Sequence, residues 1–386
     1  MVLRFLLFSL GVIASACSSP SPGTTTQADS SEPASVIVAA SDYTSSEVGT
    51  LALEGAAKFY SAGAVLGVDP ALASSQGRVF WVDRLGGNVI ELNPSTGTAL
   101  SDTVWTTSDP DFTGSTDPQD VAVDPTTGDA WIARFLVSTV LVKTSDGSTD
   151  VARIDLSGVA GVNRNPYMSS IRIVLDATGV AKAYVALEML HPYPQSIDPS
   201  YLVKIDVPSR AIESTLELKG RNPFGLIVEE GGKLYLAAPG NVNDVTETDA
   251  GIEVVDLATF TSTLLVRESD LGASVDEVSI ASGATCGTAI VMGAQPNVNP
   301  TSVISFNVAT GAIVTPLSQG FLSTSGFDLA GMAWLSGGQN LVGDRRAVSG
   351  SGYAVHVLSA SSSCELSEGG APLYAPLQPV AMVAIP

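Results

Sequence analysis

Asp109-Pro-Asp-Phe-Thr-Gly-Ser-Thr-Asp-Pro-Gln-Asp120 sets side-chain oxygens at positions 1, 3, 5 and 9 of a twelve-residue run, glycine at 6 and a carboxylate at 12. Hard divalent cations such as Ca²⁺ take oxygen ligands at this spacing, and the glycine permits the sharp turn. Asp109, Asp111, Thr113, Asp117 and Asp120 are therefore candidate calcium ligands. Asp120 stands where a longer, bidentate Glu is usual, Pro110 and Pro118 stiffen the run, and no helix is expected beside it. An Asp- and Thr-rich surface turn is the competing reading. Other chemistry is sparse. The chain has two histidines, His191 and His356, and no G-x-S-x-G elbow, so a Ser or Cys triad and a histidine zinc site are both disfavoured.

The elements that must position these residues are strands. Short apolar runs separated by turns recur along the chain, as in Arg78-Val-Phe-Trp-Val-Asp-Arg84 followed by Asn88-Val-Ile-Glu-Leu-Asn-Pro94. Lys233-Leu-Tyr-Leu-Ala-Ala238 and Gly251-Ile-Glu-Val-Val-Asp256 repeat the phrase. Aligned on Val65, Val121, Ile171, Leu226, Val278, Leu329 and Val380, the units are about 50 to 56 residues apart. A period of that size built of strands predicts a radial all-β array. Pro118, Pro223 and Pro379 announce inner strands, where a first residue need not donate to the ladder. The last unit holds one strand, Gln378 to Ile385, and the first segment supplies Val36 to Asp42 and Glu47 to Leu53. The expected fold is an all-β, seven-bladed β-propeller whose last blade is closed by both termini, leaving no open sheet edge.

Loops entering the inner strands and loops joining second to third strands should meet on one face, around the central channel. They carry Asp42, Arg84, Arg134, Glu188, Asn222, Asp276, Glu277, Gln295, Asp328, Asp344 and Arg345. Read functionally, this is a polar pocket for an anionic or mixed-charge ligand. Read structurally, the same Arg and Asp residues pair across the channel mouth and hold the ring.

Val89-Ile-Glu-Leu-Asn-Pro-Ser-Thr-Gly97, Val254-Val-Asp-Leu-Ala-Thr259 and Phe306-Asn-Val-Ala-Thr-Gly311 resemble the third-strand phrase of YVTN-type propellers and their NHL-like relatives. The resemblance is loose in each unit and implies a fold that hosts many functions. At the N-terminus, Arg4, the apolar run Phe5 to Ile13 and Ala14-Ser-Ala-Cys17 have the form of an export signal. Cys17 after small residues resembles the lipobox of bacterial lipoproteins, with Ala14 in place of the usual Leu. That resemblance implies lipidation at Cys17, residues 1–16 as signal peptide and a mature protein in the bacterial cell envelope. Residues 17–35, rich in Ser, Pro and Thr, read as a flexible tether, and residues 36–386 as the propeller.

Export permits disulfides, and Cys286 and Cys364 are the remaining cysteines, in turns expected on one face of adjacent blades; a bridge or two free thiols are both open. The chain has 386 residues, 45% apolar, with a net charge of −21. Such acidity repels nucleic acid and anionic lipid, so membrane contact is expected through the lipid alone. The expectation is a monomeric, non-catalytic binding or scaffold module for a protein, peptide or glycan of the envelope. The alternative is a metal-assisted, lactonase-like hydrolase using channel carboxylates and Ca²⁺.

Overall fold

The computed structural model describes residues 36–52, 58–64, 67–161, 164–242, 244–280, 283, 285–293, 300–335 and 338–385. Cys17 and Gln295 lie outside them. Seven antiparallel sheets follow one another along the chain. Their inner strands are Pro70–Ser75, Pro118–Val123, Met168–Leu175, Phe224–Glu230, Ser274–Ile280, Leu329–Trp334 and Pro379–Ala384, and we number blades 1 to 7 in that order. Each inner strand lies beside the next, and the last lies beside the first. This is the expected seven-bladed β-propeller.

Both termini build blade 7. Pro379–Ala384 pairs antiparallel with Val36–Ser41, from Val36 opposite Ala384 to Ala40 opposite Pro379. Two points correct the sequence reading. The N-terminal segment contributes a third strand, Lys58–Ala64, which pairs with Ser46–Ala52. The inner strand of blade 1 is Pro70–Ser75 and does not pass through the marker Val65, which lies outside the described residues. The physical cue was Asp69-Pro70: proline leads this inner strand as it leads two others, whereas the run before it is consumed by the closing blade.

The core lies between blades. Seven apolar clusters occupy the seven seams, from Ala122, Trp131 and Val140 against Ile171, Ala183 and Val203 between blades 2 and 3 to Ile290 and Val303 against Leu329 and Val342 between blades 5 and 6. A second strand is covered by a neighbour on each side, which is why Ala130–Arg134 and Cys286–Met292 are buried along their whole length. Alternation survives only at the rim, as in Ala211–Glu217.

Two carboxylates rivet neighbouring inner strands. The register slips between Ala330 and Met332 and between Met168 and Ser170, leaving backbone N–H groups without a ladder partner. Gly331 (2.9 Å) and Met332 (2.8 Å) donate theirs to the Glu277 carboxylate of blade 5. Ile171 donates to Asp120 Oδ2 of blade 2 at 2.9 Å. Gly331 has φ +73°, so a side chain there would be strained in the conformation that presents its N–H.

Candidate functional site

The channel face where the inner strands begin sorts its arginines into paired and unpaired. Arg84 meets Asp69 at 2.5 Å. Arg134 is fully buried and gives its guanidinium to Asp109 Oδ2 (3.0 Å) and to the carbonyls of Thr107 and Thr139. It is a strut between blades 1 and 2, and removing one partner of such a buried pair typically costs about 3–5 kcal/mol. Arg346 meets Asp344 at 2.6 Å, and His356 Nε2 stands 3.1 Å from the same carboxylate. Burial would raise the Asp344 pKa, but these hydrogen bonds from His356 and Arg346 hold it well below the usual range.

Arg345 differs. Its guanidinium lies 5.0 Å from the Phe327 ring centroid and 6.0 Å from that of Tyr43. Its buried Nε has no hydrogen-bond partner. Among the described residues it joins no ion pair, although its backbone N–H fixes the loop by donating to Asp328 O at 2.7 Å. Asp276 and Glu277, at the start of the blade 5 inner strand, feel its charge. Burial pushes Asp276 up to about 6 and Glu277 up to about 7, with Arg345 opposing both shifts. These side chains keep part of their surface open to the channel, yet the ring wall excludes enough water to favour the neutral acid. The arrangement is a cation held between aromatic faces beside two carboxyls poised near neutrality. Chemically, it can receive a carboxylate and an ammonium together.

The other sequence candidates are placed elsewhere. Asp42 caps its own turn through Thr44 and Ser45. Glu188 is buried at the end of a blade 3 strand. Asn222 adopts φ +58° and donates to Gly240 O at 2.8 Å. Within the twelve-residue run, Asp109 serves Arg134 and Thr139, while Asp111 and Thr113 are exposed. Asp117 accepts from Gln119 and Asp120 from Val121 and Ile171. Among the described residues no three His, Cys, Asp or Glu side chains come together as a metal site. Cys286 and Cys364 form a disulfide between blades 5 and 6, with Cα atoms 5.3 Å apart.

Sequence reasoning missed Tyr43, Phe327 and the pairing of His356. An aromatic residue one position before Asp328, in a loop already assigned to the channel face, was the available signal for Phe327. His191 reaches the loop that enters the blade 3 inner strand, with Nε2 2.9 Å from Asn165 O and Nδ1 3.2 Å from Asp198.

Buried acids also set a pH dependence. Glu268, buried with Oε1 accepting from Val275 N–H at 2.6 Å, is pushed up to about 8 by burial, with Glu247 and Asp244 adding to the shift. The unfolded chain ionises Glu near its ordinary 4.5, so between the two values the folded state binds more protons. Stability from Glu268 is therefore full below about pH 4.5 and lost as pH rises from there to about 8, and that from Glu277 and Asp276 is lost over narrower windows ending near 7 and 6. Carboxyls with lowered pKa, such as Asp206 at about 2 through its bond from Lys182, titrate below this window. We expect a higher Tm at pH 5.5 than at pH 8, and Glu268→Gln should remove part of the slope in a calorimetric pH series. An unchanged slope would mean that Glu268 is solvated in the folded state.

A seven-bladed, seam-packed propeller with a charged, aromatic-flanked channel mouth is the class that fold and site define. No family model matches the chain, and no curated protein matches it. Solved structures share the fold. A protein from Lactobacillus plantarum aligns at 15% identity over 91% of this chain and 98% of its own, TM-score 0.58. A candidate 6-phosphogluconolactonase of Bacteroides fragilis aligns at 10% identity over 92% and 99%, TM-score 0.57. The WD40 repeats of RRP9 align at 10% identity over 89% and 86%, TM-score 0.55. At these identities the likeness is one of fold alone.

Proposed function

We propose that this protein is a lipid-anchored, extracytoplasmic propeller of the bacterial cell envelope that binds, without catalysis, a protein, peptide or glycan through the channel face where its inner strands begin. The observation that carries this reading is Arg345, left without an ion pair and flanked by Phe327 and Tyr43 beside Asp276 and Glu277. In a chain with 39 acidic and 18 basic residues, a guanidinium kept out of ion pairing is available to a ligand. The Asp276 carboxyl, which unlike Glu277 is not engaged by the backbone of blade 6, selects a partner with a positive group beside its negative one. A chain of a mitotic checkpoint complex shares this fold, and this agrees with a protein partner.

The test is an array of envelope-derived peptides and glycans, with hits measured by titration. Arg345→Ala should weaken the hit about tenfold or more, the usual worth of a hydrogen bond to a charged group. Arg346→Ala, which removes a side chain already paired, should change it little. Equal affinity for wild type and Arg345→Ala would overturn the reading. A metal-assisted, lactonase-like hydrolase is the second reading, favoured by the near-neutral pKa values of Asp276 and Glu277, suited to general acid–base work. Ca²⁺-dependent lactone hydrolysis abolished by Asp276→Asn would put it in place of the first.

A further inference from the structure

The opposite end of the channel has its own cavity. It measures about 280 Å³ and is walled by all seven inner strands. Ser74, Ser75, Trp334 and Ala384, the last residues of their strands or nearly so, place it away from the Arg345 mouth. A smaller recess of about 110 Å³ adjoins it, sharing Ser74, Ser75, Arg172 and Ala384. Arg172 therefore stands where the recess meets the channel.

Three features of the wall point to a ligand. Arg172 joins no ion pair among the described residues, where its guanidinium makes a single long contact, 3.4 Å from Nη1 to Ser74 O. Leu226, 39% exposed, presents apolar surface to the cavity, whereas Met332 and Met382, which also line it, are buried members of the neighbouring seams. Trp334 donates its indole N–H to Ser279 O at 3.1 Å, which fixes its ring as part of the wall. Asp120 shares the cavity, but its oxygens already accept from Val121 and Ile171. Asp120 feels the charge of Arg172 but forms no ion pair with it, so the guanidinium's hydrogen-bond donors remain available to an incoming anion. With Asp120 and Glu229 on the same wall, a second negative charge on a ligand is opposed. The volume is roughly twice that of an apolar cavity which admits benzene.

We propose that this cavity binds a small monocarboxylate with an apolar body of about six to eight carbons, its carboxylate on the Arg172 guanidinium and its chain against Leu226 and Trp334. The site is separate from the Arg345 site and does not rest on the reading given for it. A guanidinium–carboxylate contact in a partly dry channel is bidentate and charge-assisted, and the apolar chain removes Leu226 from water.

Octanoate is the probe, titrated into the full chain and followed by tryptophan fluorescence. Of the four tryptophans, Trp81, Trp105 and Trp131 are at most 2% exposed in the seams, so Trp334 reports on the cavity. A saturable change is expected, weakened about tenfold or more by Arg172→Gln and partly retained in Arg172→Lys. Octanol, matched in length and uncharged, should also bind at least tenfold more weakly. Leu226→Phe, which fills the cavity without touching the charge, should block binding and serves as the second variant if Arg172→Gln fails to fold. No saturable change, or equal binding of octanol and octanoate, would overturn the proposal. So would full affinity in either Arg172→Gln or Leu226→Phe.

Discussion

A chain ending at Gln378 is expected to lose its cooperative thermal transition. The deleted strand Pro379–Ala384 pairs with Val36–Ser41 along five residue pairs. It also buries Met382 in the seam with blade 6 and Val383 in the seam with blade 1. Some five backbone hydrogen bonds at about 1 kcal/mol each and two buried side chains at about 2 kcal/mol each put the loss on the order of 5–10 kcal/mol. A whole domain is stable by about 5–15 kcal/mol. Losing the strand also reopens the ring, exposing the inner edge of Val36–Ser41, so the damage is not confined to one blade. Calorimetry of the truncated chain checks this. A melt within a few degrees of the full chain would show that six blades and a partial seventh stand without closure.

The second large effect concerns the Cys286–Cys364 bridge. Its sequence separation of 78 gives an unfolded-state entropy loss of about 4 kcal/mol in the chain-closure account. For a domain of this size the double Cys286→Ser, Cys364→Ser variant should melt roughly 5 °C lower. The location makes the cost matter. Among the described residues, the apolar cluster between blades 5 and 6 has seven buried members, against nineteen between blades 2 and 3. Among the described residues, the covalent link thus lies across the seam with the fewest buried apolar members. Reductant added to the native protein should reproduce the variant's Tm, and a drop below 1 °C in both would show that packing alone holds that seam.

How much was legible beforehand follows from the range of each interaction. Strand periodicity, Pro-led inner strands and Gly or Asn turns are local, and they predicted the blades and the closure by both termini. The slip occurred at Val65 to Pro70, where an apolar run and a proline cue competed and only pairing with Ser46–Ala52 resolved them. Asp120 illustrates the same limit in the site. Its spacing from Asp109 fitted a calcium loop, but a bulge in the next blade supplies the N–H of Ile171 and draws the carboxylate into the channel wall.

Arginines show where sequence stops. Arg84, Arg134 and Arg345 each follow the end of an apolar run and looked alike along the chain. Their fates depend on acids brought from 15 and 25 residues away in the first two cases and on two aromatic rings in the third. Arg172 drew no notice, although a charge between Ile171 and Ile173 in an inner strand was the visible sign of a channel residue. The sequence by itself determined the class of element, the repeat and the ring, because hydrogen-bonded strands and turns are set by neighbours in the chain. Tertiary structure alone decided which charges neutralise one another and which remain for a ligand, because Coulomb pairing and desolvation act through space between blades that the sequence places far apart.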